Sequence, residues 1–543
     1  MTYAGVLLLD IFVILPGNIT ENGDVSYMNK CSKKVIQVTV LIFCLLCLAG
    51  CAGLKIYADR ANYPYIDSVS VSTEDKAIVV QWKAPLFGKV KKIRIVITGN
   101  DKQEEVFLPA YIGRYSFTGG EAGTVYRVYV TGKYSDGTYG EIISCDRMFL
   151  DYDDIPDIPF INLRTNNGED PGYTESESAK EDAALVIGRT IEDNDYVEGV
   201  FSMEENRYET KSSVMKIKVR GNTSALDYDK KPYKILLDNA LDLLDLGDEY
   251  AEKEWILLNT GENLKTWLGT YVSEYCGMEW QPKVRFVNLM LNGDYKGMYL
   301  LTESVERGEN KCNISKNGFL IEYDLYWWKP GEVYFKTRKQ NKFMAYTLKY
   351  PTAESFDDER VIQINAYMQN IEDMLINYDP AVFDYIDVDS FAGWTLIKDI
   401  LGVADDNGSN MFFYLYDMDG GQPPQYKLKM GPAWDFDSMF ETDEFEWSSQ
   451  HYWVGNFTDY LWNYEEFRIA YANAWIAVKD TLRADIESYI DELCETKGDA
   501  INESRRLDSE RWRHDVITVE DEAENIDKWL LKHMWWIESM FRG

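Results

Sequence analysis

The hydrophobic period of this chain changes once, near residue 355, and that change limits the class of fold it can adopt. Between residues 160 and 345, short runs alternate apolar and polar positions, as in MKIKVRG, PYKILLD, VRFVNLMLNG and YKGMYLLTES. Alternation at period two puts one set of side chains on one face of a strand. The exception is a helical stretch around 263–276. From about 355 onward apolar residues recur at helical spacing, interrupted by a strand pair around 411–417 and 426–431. The last helix, expected over 524–541, carries Ile526, Trp529, Leu530, Met534 and Ile537 on one packing face. A strand-rich half followed by a helix-rich half predicts an α+β fold in two lobes.

Residues 61–150 show period two in shorter runs, DSVSVS, AIVVQWKAP, KKIRIVITG and YRVYVTGKYSDG, punctuated by turn formers. That is the pattern of an all-β sandwich. Trp82 falls where a second-strand core tryptophan belongs, and Tyr126 where a tyrosine corner belongs. The segment therefore resembles a fibronectin type III module, for which a spacer or docking role without catalysis is expected. LDYDDIPDIPF (150–160) carries acids and Pro156 and Pro159, so 151–157 is read as a linker. The large domain then runs over 158–543.

Ahead of the sandwich, the stretch from Met28, MNKCSKKVIQVTVLIFCLLCLAGCAG, sets Lys30, Lys33 and Lys34 before an apolar run from Val35 to Gly50. The run is shorter than the ~20 residues a spanning helix needs and has signal-peptide proportions. It ends in LAGC, which resembles the bacterial lipobox. The expectation is a lipoprotein signal peptide over 28–50, a lipidated Cys51 and an anchoring spacer over 51–60. An uncleaved membrane anchor is the other reading, and both put the bulk of the chain outside the cytoplasmic membrane. Residues 1–27 fit neither, and Met28 is the candidate start of the natural chain.

The net charge is −35, from 91 acidic and 56 basic residues. A nucleic-acid or anionic-membrane surface needs a basic footprint, so no nucleic-acid partner is expected and membrane attachment is expected only through Cys51. Four of the eight cysteines lie in the leader, and Cys145, Cys276, Cys312 and Cys494 are scattered. That spacing predicts neither a zinc site nor a disulfide framework. Three histidines, none near another, give little material for a Ser–His–Asp triad.

The stretch PAWDFDSMF (432–440) sets Asp435 and Asp437 among Trp434, Phe436 and Phe440, at an expected strand end. Carboxylates in such surroundings need a partner. Upstream, VADDNGSNMFFYLYD (403–417) holds Asp405 and, five residues later, Asn410; Asp435 follows 25 residues after that. An aspartate, an asparagine five residues on and an aspartate beyond the next strand form the arrangement protein kinases use. The first accepts the substrate hydroxyl proton, and the other two hold magnesium through hard oxygen donors. On spacing alone, loop acids and a turn or cap residue explain the pattern as well.

Four segments occur in an order that resembles the spore-coat CotH kinase family: KVRGNTSALDYDKKPYKILL (218–237), YKGMYLLTESVE (295–306), NMFFYLYD (410–417) and GPAWDFDSMF (431–440). The resemblance covers most of 158–543. It implies an atypical secreted protein kinase, two-lobed, using ATP with Mg2+ or Mn2+. It assigns Asp405 as the catalytic aspartate, Asn410 and Asp435 as metal ligands and Asp437 as an additional ligand. Arg220, Lys231 and Lys234 are the candidates for phosphate contacts, with Glu303 pairing Lys234. Alternation in PYKILLD turns Lys234 away from Tyr233 and Ile235 and towards a cleft; the other reading is surface charge at strand ends. Two departures stand out. TGENLKTWLGTY has Lys265 about where the family carries an arginine, and DDNGSN lacks the family's loop histidine.

The expected function is transfer of the γ-phosphate of ATP to serine or threonine of an exported or surface protein. A non-catalytic surface scaffold or pseudokinase is the alternative. A carbohydrate-associated protein is a third reading, since fibronectin-like modules often accompany glycan enzymes, but a retaining glycosidase needs two carboxyls ~5 Å apart. On a strand, Asp435 and Asp437 would point the same way about 7 Å apart.

Overall fold

The structure, a computed structural model, describes residues 66–541 except 75, 85–87, 151, 179–187, 193, 207, 330, 339–343, 354, 356, 404–409 and 441–456. The leader with Cys51 and the loop with Asp405 therefore lie outside the described residues. The period-two runs of the N-terminal segment become β1 (Ser68–Glu74), β2 (Ala77–Lys83), β3 (Val90–Gly99), β4 (Lys102–Pro109), β5 (Arg114–Phe117), β6 (Thr124–Tyr134) and β7 (Tyr139–Phe149). They form two sheets, β1-β2-β5 and β4-β3-β6-β7. Ile78, Val80, Trp82, Ile93, Ile95 and Val128 fill the space between them. The Trp82 indole donates to the Ala110 carbonyl at 2.8 Å. The Tyr126 hydroxyl accepts the Glu121 N–H at 3.1 Å, closing a tyrosine corner. The fibronectin-like reading of this region rests on these features.

The next strands are β8 (Phe160–Thr165), β9 (Thr174–Ser178), β10 (Gly188–Glu192), β11 (Val197–Glu205) and β12 (Tyr208–Val219). A short helix α1 (Thr223–Leu226) leads to β13 (Tyr233–Leu241) and β14 (Glu252–Leu258), and α2 (Lys265–Tyr275) leads to β15 (Val284–Leu291) and β16 (Asp294–Glu303). Alternation gave the strands but not their closure: β11-β12-β13-β14-β16-β15-β8 form a closed barrel. The closing pair β15–β8 is parallel. Phe201, Met215, Ile217, Tyr233, Ile235, Trp255, Leu257, Tyr299 and Leu301 fill its interior.

The remainder combines β17 (Phe319–Asp324), β18 (Tyr334–Phe335), β19 (Ala345–Tyr350), α3 (Glu359–Ile376), α4 (Val388–Leu401), β20 (Met411–Leu415) and β21 (Lys429–Ala433) with four further helices. These are α5 (Phe457–Leu461), α6 (Glu465–Val478), α7 (Leu482–Trp512) and α8 (Val519–Met540). The strands form one sheet, β18-β19-β17-β20-β21. Helix α4 is buried from Phe391 to Leu401, starts at an Asp387 cap accepting the Ser390 N–H, and stops at left-handed Gly402. Thr518 caps α8 by accepting the Asp521 N–H, so the last helix begins earlier than its apolar stripe. Among the described residues, no helix is long and apolar enough to cross a membrane.

Helix α7 joins the three parts. Asp508, fully buried, accepts the Met298 N–H at 2.8 Å and pairs with the Lys230 ammonium at 2.6 Å. Gly297 leaves the room this approach needs, because a Cβ there would collide with the Asp508 carboxylate. One turn on, Arg511 reaches Asp294 at 3.0 Å, which also takes Lys296 at 2.7 Å and Arg147 of the sandwich at 3.5 Å. Burial alone would raise the Asp294 pKa, but the three cations outweigh it and hold the carboxyl well below its usual range. Around this network Met148, Leu150, Ile155, Phe160, Tyr295 and Leu507 form an apolar cluster. The segment expected as an exposed linker thus contributes the buried Ile155, and the sandwich is docked on the barrel, not tethered to it.

Removing one partner from a buried ion network strands the others without compensation. Asp294→Asn is therefore expected to cost ~3–5 kcal/mol in chemical denaturation of the full chain. A loss below ~1 kcal/mol would mean the network contributes no more than an exposed ion pair.

Candidate functional site

Neighbouring strands bring residues distant in sequence together. Met411, opening β20, pairs with Ala433, closing β21. The residue before one strand and the segment after the other are thus side by side. Asn410 and Asp435 both take left-handed backbone, with φ of 59° and 60°. The Asn410 amide donates to Asp435 Oδ2 at 3.1 Å. Two of the expected metal ligands do meet.

The segment around Asp435 is held from behind. Gln281 accepts the Ala433 N–H at 3.1 Å and donates to its carbonyl. Lys398, fully buried on α4, donates to the Trp434 carbonyl at 3.2 Å and lies 5.2 Å from the Phe436 ring centre. Lys265, at the start of α2, donates to the Asp437 carbonyl at 2.6 Å, so the lysine at the family's arginine position does reach this site. Asp437 itself is exposed. Because β21 ends at Ala433 and the backbone turns at Asp435, the two carboxylates do not share a strand face, and the expectation that they would is corrected.

Arg220 follows β12, with its N–H donating to the Pro232 carbonyl at 3.1 Å. Burial disfavours its charge and lowers its pKa, against the pull of the Asp435, Glu322, Asp437 and Glu254 carboxylates. Those four acids come from three separate parts of the chain. Glu254 belongs to barrel strand β14, Glu322 to β17, and the aspartates to the segment after β21.

The pairing of Lys234 with Glu303 is overturned. Register aligns Lys234 with Ile256, and Ile256 with Thr302. Lys234 therefore shares the outer face with Thr302, while its neighbour Glu303 lies on the opposite face. Lys234 instead pairs at 2.6 Å with Glu254, a diagonal neighbour on its own face. Glu303 is buried and accepts the Lys283 N–H at 2.9 Å; burial raises its pKa. Lys231 donates to the Ala225 carbonyl at 2.7 Å and to that of Tyr228, which commits its ammonium to the turn after α1.

Sequence reading missed the charges behind Arg220. Lys349 pairs with Glu322 at 3.1 Å and with Glu332 at 3.5 Å. Asp324, two residues along β17, accepts the Tyr326 N–H at 2.7 Å. Burial, with Asp324 adding to it and Lys349 opposing it, pushes the Glu322 carboxyl up to about 7. Local sequence could not show that Phe412 and Thr347 would flank Glu322 on both neighbouring strands.

Whether these groups suit a cation depends on their chemistry. Among the described residues, no three of His, Cys, Asp or Glu converge as a ready cage. Magnesium, however, binds through one or two carboxylates and leaves its other positions to phosphate oxygens and water. Asn410 and Asp435 supply hard oxygens in that number. They fit.

A family model described as CotH kinase protein matches residues 217–537, more than half of the chain. No curated protein matches it. Among solved structures, the fn3 domain of human collagen alpha-1(XX) chain is 22% identical, covering 16% of this chain and 87% of that one, with a TM-score of 0.15. The twitchin kinase region from C. elegans is 10% identical, covering 46% of this chain and 41% of that one, with a TM-score of 0.17. At these scores the likenesses add nothing to what the strand topology shows.

The Glu322 shift has a consequence for stability. A carboxyl whose pKa is raised on folding stabilises the fold while protonated, and that contribution is lost as pH rises from the unfolded value of 4.5 through about 7. Measured against the parent, the melting temperature of Glu322→Gln is expected to be higher at pH 8 than at pH 5, whatever constant penalty the lost Lys349 pairing adds at both. An equal shift at both values would show that Glu322 titrates normally.

Proposed function

We propose that this chain, which belongs to the CotH kinase protein family, is a two-lobed phosphotransferase that moves the γ-phosphate of ATP onto a serine or threonine hydroxyl. The observation that carries this reading is the Asn410–Asp435 pair, whose aspartate lies close enough to Arg220 to pull on its charge. Asn410 and Asp435 would hold Mg2+ or Mn2+, with Asp437 beside them. The bound cation supplies charge neutralisation for the phosphates.

Arg220 and Lys234 would hold phosphate oxygens, while Lys231 fixes the turn that carries Arg220. Glu254 positions Lys234, the part sequence reading gave to Glu303. Asp405, which lies outside the described residues, would accept the substrate hydroxyl proton. The hydroxyl oxygen forms its bond to the γ-phosphorus as the bond to the β–γ bridging oxygen breaks, and ADP leaves with that electron pair. The leader supports an extracytoplasmic protein anchored through a lipidated Cys51, so the acceptor would be an exported or surface protein.

The test is label transfer from γ-labelled ATP to a serine-rich acceptor, using the full chain with manganese or magnesium. Asp435→Ala is expected to lower transfer on the order of 10–100-fold or more, with melting temperature kept. Absence of label in both proteins, together with absence of a nucleotide-induced thermal shift, would replace the enzyme with a scaffold in a surface assembly.

A further inference from the structure

The sandwich has two unlike ends. Registers Glu74↔Ala77, Gly99↔Lys102 and Thr124↔Phe149 mark one end. There the Thr73 N–H donates to the Gly293 carbonyl at 2.6 Å and Arg147 reaches Asp294, so this end sits on the barrel. Registers Ser68↔Lys83, Lys92↔Pro109 and Lys133↔Tyr139 mark the other, about 35 Å away along the eleven residues of β6.

That distal end differs from the rest of the molecule in charge and polarity. Lys83, Lys89, Lys91 and Lys92 are exposed there, and Lys133 is half-buried beside Phe107 and Tyr139. Asp67, Asp136 and Glu141 are the acids at this end. Residues 66–150 carry eleven Lys and Arg against ten Asp and Glu, within a chain of net charge −35. At the same end Tyr111 is 76% exposed and Ile112 48%, adjacent residues on the short turn before β5. An aromatic and an aliphatic residue exposed at the same end as these lysines have the make-up of a peripheral membrane contact.

The chain also leads to this end. Ile66 enters β1 there, fifteen residues after Cys51, a stretch that can span no more than about 50 Å. We propose that the distal end of the sandwich rests on an anionic phospholipid bilayer, with Tyr111 and Ile112 in the interface and Lys89, Lys91 and Lys92 on the headgroups. The sandwich would then hold the cleft about its own length above the membrane. This rests on the reading of Cys51 as a lipid anchor and extends it, since a lipid anchor alone fixes neither orientation nor height.

The test uses the full chain reconstituted into two vesicle types, phosphatidylcholine alone and phosphatidylcholine with a third phosphatidylglycerol. Amide hydrogen exchange is read over residues 88–92 and 110–113. Exchange is expected to slow in the anionic vesicles only. The K89E/K91E/K92E variant should lose that protection, because each basic residue near such a surface contributes about a fivefold factor, on the order of a hundredfold for three. Tyr111→Ser with Ile112→Ser should lose it too, and an unchanged melting temperature in both variants excludes misfolding. Equal exchange in both vesicle types, with the protein floating with them, would overturn the surface contact and leave the anchor standing. Protein that floats with neither vesicle would remove the anchor and the surface contact together.

Discussion

Asp508 is fully buried, and an unpaired charge in such a place costs several kcal/mol. Its partners set where everything else can be. Lys230 and the Met298 N–H belong to the barrel, and Asp508 itself to the longest helix of the helical half. Rotating α7 by a residue or sliding it along the barrel would take Lys230 and the Met298 N–H away from the buried carboxylate. The same helix turns Leu507 into the apolar cluster under the sandwich and brings Arg511 to Asp294. One helix face therefore orients all three parts.

Most of the charges around Arg220 are paired off. Lys234 neutralises Glu254 on the barrel side, and Lys349 neutralises Glu322 on the sheet side. Asp435 is left turned to Arg220 and to an amide whose N–H it already accepts. A site in that condition accepts phosphates only if positive charge arrives with them. These charges support the proposed dependence on a divalent cation.

Features held in local pattern were legible in the sequence. Trp82 and Tyr126 were found because a sandwich strand repeats its core positions every second residue. The direction of Lys234 was found for the same reason. Its partner was not: Glu303 and Glu254 look alike in sequence, and only the register of three adjacent strands separates them. Barrel closure was hidden because β8 and β15 pair across more than a hundred residues. Lys398 was hidden because a lysine in a helix reads as solvent-facing until the helix is surrounded. The chain-wide charge of −35 likewise concealed a sandwich that is close to neutral and basic at one end.

The closing strand of the barrel also has a history during synthesis. β8 is made before any barrel strand it pairs with, and its parallel neighbour β15 follows only after six further strands and two helices. In that interval its backbone edges are open, the condition that favours pairing with another chain. The sandwich is complete by then. Its Met148 and Leu150 already offer the apolar surface on which Phe160 packs at the start of β8. Both β8 and β11 lie outside the residues the family model matches, yet without them the barrel would be two strands short. The sandwich is in this sense a template for the enzyme-like fold that follows it, present from the first strand onward.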